Sequence, residues 1–249
     1  MVRIPTLPLW ISALAILFGC NVQPDAELAA FGDSVTWGYG GLPGGWVRRL
    51  EESSGFHISN LGVPGERASG AIGRIDAALR SVPRAKVMFI LHGGNDWVQA
   101  FRSSYCNRNC DPAVVNTKYE DVGDGLRKIR RLVDERGIKP VFLTYWPNSA
   151  EICSKYDAPT FAIYQTHRQR LNAEIIEVAA EHDDHVVLMG DIPGFGEDSH
   201  NFFDCLHPSA QGYRKLAARI LEDFSSWEPP EPGFKDLWQV YGGMPRYSR

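Results

Sequence analysis

The stretch KVMFIL, residues 86–91, decides how the rest of the chain reads. After one lysine, five apolar residues follow without a polar interruption. A half-exposed strand would alternate apolar and polar side chains, and a membrane span would run much longer. The stretch therefore reads as a short strand buried on both faces, as in the interior of a parallel sheet. Outward from it, Leu28–Phe31 and His57–Asn60 read as strands before it, and Pro140–Tyr145 and His185–Met189 as strands after it. Helices are predicted between and after them, over Gly45–Ser53, Ala68–Leu79, Tyr119–Arg136, Thr160–Glu181 and Ala210–Phe224. In the fourth, Phe161, Ile163, Tyr164, Leu171, Ile175, Ile176 and Val178 recur at helical spacing, a stripe that reads as core packing. Such alternation predicts an α/β fold: a five-stranded parallel sheet covered by helices on both faces. Ligands of such sheets bind beyond the carboxyl ends of the strands. Ser34, Asn95 and the loop Trp146–Pro159 each follow a predicted strand directly and are expected to meet at that edge.

The 249 residues are 44% hydrophobic and 22% charged, an ordinary globular balance. The net charge of -4 and the absence of a Lys/Arg run give no field for nucleic acid. The first twenty residues differ. Arg3 is their only charge, and Leu7–Gly19 are mostly apolar, too short to span a bilayer but suited to a secretory signal. The run ends in Leu17-Phe18-Gly19-Cys20 and resembles a bacterial lipoprotein signal, in which cleavage before the cysteine is coupled to its lipidation. The expected organisation is a signal peptide over 1–19, one domain over 20–226 with Cys20 as membrane anchor, and a Pro/aromatic tail over 227–249. Four further cysteines, Cys106, Cys110, Cys153 and Cys205, fit two disulfides in an oxidising compartment. They allow three pairings, of which Cys106–Cys110 with Cys153–Cys205 is favoured. No second Cys/His pair stands at ligand spacing near Cys106 and Cys110, so a zinc site is not expected.

Four short blocks carry chemistry. In AAFGDSVTWGYG, residues 29–40, a serine stands between an acid and a glycine-rich turn at the end of the first strand. It lacks both the Gly-x-x-x-x-Gly-Lys-Ser/Thr spacing of a phosphate loop and a Gly-x-Ser-x-Gly elbow. In FFDCLHPSAQGY, residues 202–213, Asp204 and His207 stand three apart. A serine hydroxyl needs a base to take its proton, an imidazole can do so, and a carboxylate behind it fixes the tautomer. In LHGGNDW, residues 91–97, Asn95 offers a side-chain amide to a developing oxyanion, while Asp96 reads as a brace for the loop. In NLGVPGERAS, residues 60–69, Gly65 offers a backbone N–H, with Gly62 as a competitor.

Gly32-Asp33-Ser34, Gly65 after Asn60, Gly93-Gly94-Asn95-Asp96 and Asp204-x-x-His207-Pro208, in this order, resemble the SGNH hydrolases, also called the GDSL esterase/lipase family. The resemblance covers about residues 27–224 and implies a three-layer α/β/α sandwich of the flavodoxin-like type. It also implies roles: Ser34 as nucleophile, His207 as general base, Asp204 as its orienter, and Ser34 N–H, Gly65 N–H and Asn95 as the oxyanion hole. The implied enzyme is a serine esterase acting on an ester substrate, a small acyl ester, acylated glycan or lipid, with no metal or cofactor. Lysophospholipase, thioesterase and O-acyltransferase activities use the same residues. A glycan-binding envelope lipoprotein is the non-enzymatic alternative. A metal-dependent phosphoesterase built on Asp33, His92, Asp204 and His207 lacks a second carboxylate–histidine motif. Two departures from the family pattern stand out: Cys205 inside the Asp-x-x-His loop, and the insertion Gln99–Asn116, expected as a rim or lid over the site or as a stapled surface loop. Trp37, Tyr39, Trp46, Trp97 and Trp146 lie near the active edge in sequence and could stack on sugars, line an acyl pocket or simply fill the core.

Overall fold

The computed structural model describes residues 22–41, 44–107 and 112–226, with side chains 103–118, 225 and 226 left aside. The expected signal peptide, Cys20, the Cys106–Cys110 pairing and the tail lie outside the described residues. Five strands, β1 (Leu28–Gly32), β2 (Ile58–Gly62), β3 (Val87–Leu91), β4 (Lys139–Leu143) and β5 (His185–Val187), form one parallel sheet in the order β2-β1-β3-β4-β5. Every residue of β1, β2 and β3 is buried. Helices on both faces account for this, and it is why β3 reads as an unbroken apolar run. The α/β class and the five-stranded parallel sheet expected from sequence are those observed.

The chain leaves β1 for β2 on one side and returns to place β3 on the other, so the sheet reverses direction between β1 and β3. The two connections diverge there and leave a crevice at the carboxyl ends. In register, Gly32 of β1 faces Gly62 of β2 and Leu91 of β3, so all three strands end level with one another.

Eight helices are described: α1 (Ser34–Trp37), α2 (Gly45–Ser54), α3 (Ala68–Ala71), α4 (Ile75–Ser81), α5 (Gly94–Asn107), α6 (Pro112–Asp134), α7 (Ala158–Ala180) and α8 (Ala210–Ser226). α2 packs on α8, while α6 packs on α3, α4, α5 and α7. The predicted helix over 68–79 is two helices, α3 and α4, separated at Ile72–Arg74. α5 was not expected, because its first turn, Gly94-Asn95-Asp96, has the composition of a loop. The insertion after Asn95 is largely helical rather than a loop: α5 runs to Asn107 and α6 begins at Pro112, seven residues before the predicted start. Proline suits a first helical turn, where its missing N–H costs nothing. Of the five aromatics near the edge, Trp46, Trp97 and Trp146 are core, Trp37 is half-buried and Tyr39 alone is exposed. Among the described residues no helix is long and apolar enough to cross a membrane.

Candidate active site

Ser34 opens α1 directly after β1. Asp33 caps that helix, its Oδ1 accepting the Val35 N–H at 2.9 Å. The cap fixes the turn from strand to helix and satisfies one of the donors every helix N-terminus leaves over. Ser34 is thereby held at the crevice, 6% exposed. From the other end of the chain, 173 residues away, His207 brings Nε2 to 3.0 Å from the Ser34 hydroxyl oxygen.

The loop that carries His207 is built to aim it. Asp204 Oδ2 lies 2.9 Å from His207 Nδ1, and Oδ1 also accepts the backbone N–H groups of Leu206 and His207 at 2.7 and 2.8 Å. Burial pushes the Asp204 carboxyl upward, but the imidazole and the two N–H donors outweigh it and hold the group at about 2. An ionised carboxylate on Nδ1 leaves Nε2 free to accept a proton from the serine. Hydroxyl, imidazole and carboxylate thus stand in the line that acyl transfer through a serine requires.

Cys205, between Asp204 and His207, is bonded to Cys153 in the loop after β4, the pairing favoured from sequence. The Cys205 carbonyl also accepts the Tyr164 hydroxyl at 2.8 Å and the Asn148 amide. The loop after β4 therefore does reach the active edge: it grips the histidine loop by the disulfide and the Asn148 hydrogen bond, and Tyr164 of α7 adds a second hydrogen bond.

Gly65 and Asn95 come from the loops after β2 and β3. Gly65 has φ +80°, a conformation that L side chains adopt only with strain, and it is exposed. The Asn95 amide donates to the Glu66 carbonyl at 2.9 Å and makes a longer contact, 3.4 Å, with Asp33 Oδ2. Asp96 braces the loop as expected, its carboxylate accepting the Ala68 N–H at 2.9 Å. The competitor Gly62 is buried at the end of β2, where its N–H donates to Asn60 Oδ1 at 3.0 Å.

Two groups of residues that sequence reading missed lock these loops together. Glu66, next to Gly65, takes Arg74 on both carboxylate oxygens and His92 Nε2 at 3.1 Å. Arg74 also donates to the Gly32 carbonyl at 3.3 Å and lies 4.2 Å above the Phe31 ring. Burial works against the charged Glu66, yet His92 and Arg74 bring its carboxyl below the ordinary value. This cluster ties the ends of β1, β2 and β3 to one another. His92 is spent here, on Glu66, rather than beside Asp204. The second group is Tyr145, whose hydroxyl accepts the Gly94 N–H at 2.9 Å and donates to Asp33 Oδ2 at 3.1 Å. A lone Glu, Arg or Tyr carries no periodic or spacing signal, and only the observed sheet order brings these residues to one another.

A family model for GDSL-like lipases and acylhydrolases matches residues 30–215. The chain belongs to that family. No curated protein matches the sequence. Among solved structures, a member of the lipolytic G-D-S-L family from Veillonella parvula is 25% identical, covers 81% of this chain and 99% of its own, and superposes with a TM-score of 0.61. A lipase from a goat rumen metagenome is 16% identical, with 80% and 97% covered and a TM-score of 0.64. A psychrotrophic esterase from Pseudoalteromonas, captured inhibited by monoethylphosphonate, is 18% identical, with 82% and 98% covered and a TM-score of 0.56. Membership makes this chain a serine ester hydrolase of the GDSL type, with esters as its substrates.

Proposed function

We propose that this GDSL hydrolase is an exported, lipid-anchored esterase that removes short acyl groups, acetyl groups on glycans among them. The observation that carries the catalytic reading is the 3.0 Å approach of His207 Nε2 to the Ser34 hydroxyl, with Asp204 behind it. In this reading Ser34 Oγ attacks the ester carbonyl while His207 takes its proton. The tetrahedral oxyanion is received by the N–H groups of Ser34 and Gly65 and by Asn95. One Asn95 hydrogen is engaged on Glu66, so the one aimed at the long Asp33 contact is assigned to the oxyanion. Active-site hydrogen bonds that are loose before substrate arrives tighten in the complex. His207 then protonates the departing alcohol, and water, activated by the same imidazole, releases the acid from the acyl-serine.

Preference for short acyl groups rests on the absence of a long apolar lid helix from the sequence pattern. Export and anchoring rest on the apolar run ending in Cys20. The test is hydrolysis of p-nitrophenyl acetate, butyrate, octanoate and palmitate, with Ser34→Ala alongside. Turnover should fall with chain length, and the variant should lose about a thousandfold or more. Equal activity in Ser34→Ala would remove the nucleophile assignment. Rates that rise with chain length would replace the short-acyl reading by a lipid one. Anchoring predicts that the protein leaves the membrane fraction when Cys20 is replaced by serine; an unchanged partition would overturn it.

A further inference from the structure

Five large hydrophobic side chains are exposed among the described residues. The two most exposed, Phe203 at 60% and Tyr39 at 45%, stand together at the active site. The Tyr39 ring centroid lies 4.6 Å from that of His207, and Phe203 meets Tyr39 edge-on at 5.8 Å. Single exposed apolar residues are commonplace, but a contiguous exposed pair against a catalytic group points to a ligand.

The pair is held in place by the fold. The Phe203 N–H donates to the His207 carbonyl at 2.9 Å, and the Tyr39 carbonyl accepts the hydroxyl of the buried Tyr213 at 2.7 Å. Between them Gly40 has φ +86°, and a Cβ there would stand 2.7 Å from Phe203 Cβ. The missing side chain is what lets the Phe203 ring come down beside Tyr39.

The reaction tells which half of the substrate lies there. As the Ser34 Oγ–carbonyl carbon bond forms and the bond from that carbon to the alcohol oxygen breaks, the serine proton passes through His207 Nε2 to the alcohol oxygen. The alcohol must therefore sit against His207, while the carbonyl oxygen turns toward Gly65 and Asn95. Rings that flank His207 flank the alcohol. Tyr39 and Phe203 meet at an interplanar angle of 86°, and with both rings exposed they form a step open to solvent. Such a step suits a ring with a flat apolar face and a polar edge.

We propose that Tyr39 and Phe203 are the platform for the alcohol half of the substrate, and that this alcohol is a pyranose presenting its C–H face. The proposal rests on the esterase reading above and adds to it the residues that choose the leaving group. An aryl alcohol shares the flat apolar face and is the other source to be told apart.

The experiment compares kcat/KM of the full chain on an acetylated methyl glucoside, phenyl acetate and ethyl acetate. The variants are Tyr39→Ala and Phe203→Ala, with Tyr39→Leu and Phe203→Leu to keep bulk without a flat ring. Ile176→Ala, an exposed residue on α7, is the control. The ratio of glucoside to ethyl acetate turnover should fall about tenfold in each platform variant, chiefly through KM, and stay unchanged in the control. A fall confined to phenyl acetate would replace the sugar by an aryl alcohol. Equal losses on all three esters, or none, would overturn the platform while Ser34-dependent hydrolysis of ethyl acetate left the esterase reading standing. If the wild-type protein hydrolysed none of the three through Ser34, the esterase reading would fall and the platform with it.

Discussion

Replacing Tyr145 by phenylalanine removes one oxygen atom and keeps the ring that packs edge-on against Trp97 at 5.9 Å. That oxygen is fully buried and satisfies two groups: the Gly94 N–H at 2.9 Å and Asp33 Oδ2 at 3.1 Å. Leaving a buried N–H without an acceptor costs about 1–3 kcal/mol, and a hydrogen bond to a charged group is worth about 1.5–3 kcal/mol. Allowing for partial relaxation, Tyr145→Phe should destabilise by about 2–5 kcal/mol, read as a lower urea midpoint at unchanged m value. Asp33 supplies the sign of the pH dependence. Burial raises its carboxyl above the ordinary value, although His92, the donors Val35 and Tyr145, and His207 pull it down. A group raised on folding contributes stability that is complete below its unfolded value, 3.8, and lost as pH climbs through the folded value. Removing the Tyr145 donor raises the folded value further, and the ionised carboxylate is the form that misses the donor most. The destabilisation should therefore be larger near pH ~7 than near pH ~4. Turnover should fall about tenfold with KM little changed, because Asn95 and Ser34 both lean on Asp33. A variant within about 0.5 kcal/mol of wild type at neutral pH, or a loss that does not shrink on acidification, would refute the reasoning.

Three further expectations follow from the same geometry. Glu66→Gln keeps the backbone carbonyl that holds Asn95 but discharges the Arg74–Glu66–His92 cluster. Breaking such a partly buried pair should cost about 2–4 kcal/mol and lower kcat more than it raises KM, measured by steady-state kinetics beside urea unfolding. The Cys153–Cys205 bond closes a loop with a sequence separation of 52. Replacing both cysteines by alanine should cost about 4 kcal/mol of stability. Because Cys205 sits between Asp204 and His207, activity should decay at lower urea than the fold does. Asp204 is depressed from 3.8 to about 2, so its contribution is present above 3.8 and is lost as pH falls through about 2. Asp204→Asn should flatten the acid arm of the stability curve in that window, followed by circular dichroism.

The parts of the fold that were legible in the sequence are those set by composition over several residues. β3 declared itself because a strand buried on both faces must be apolar throughout, the other four strands were short apolar stretches as well, and their alternation with helical patterns pointed to the parallel sheet. Boundaries were lost where composition and structure part. α5 begins on Gly94, Asn95 and Asp96, residues that favour loops, and is carried by the packing of the apolar residues after them, Trp97, Ala100 and Phe101. α6 begins ahead of its apolar stripe, at a proline that periodicity ignores. Three of the four short blocks of the site place their chemistry next to a strand end, at β1, β2 and β3, and the fourth, Asp204 to His207, lies in the loop before α8. Their spatial convergence depends on the reversal between β1 and β3.

The supporting residues were illegible for a different reason. Glu66, Arg74 and Tyr145 act through partners that are near only once the sheet order is known, so no local pattern marks them. Phe203 is a sharper case. In sequence, Phe202 and Phe203 are an aromatic pair before Asp204, with nothing to tell them apart. In the structure Phe202 rests on the buried Phe195 at 5.2 Å while Phe203 turns outward beside Tyr39. The fold can bury one ring of the pair because neighbouring residues of an extended segment point to opposite sides. Since the loop must direct Asp204 and His207 toward Ser34, the outward ring is delivered to the same edge. The constraint that aims Asp204 and His207 at Ser34 thus also places Phe203 beside Tyr39 at the same edge.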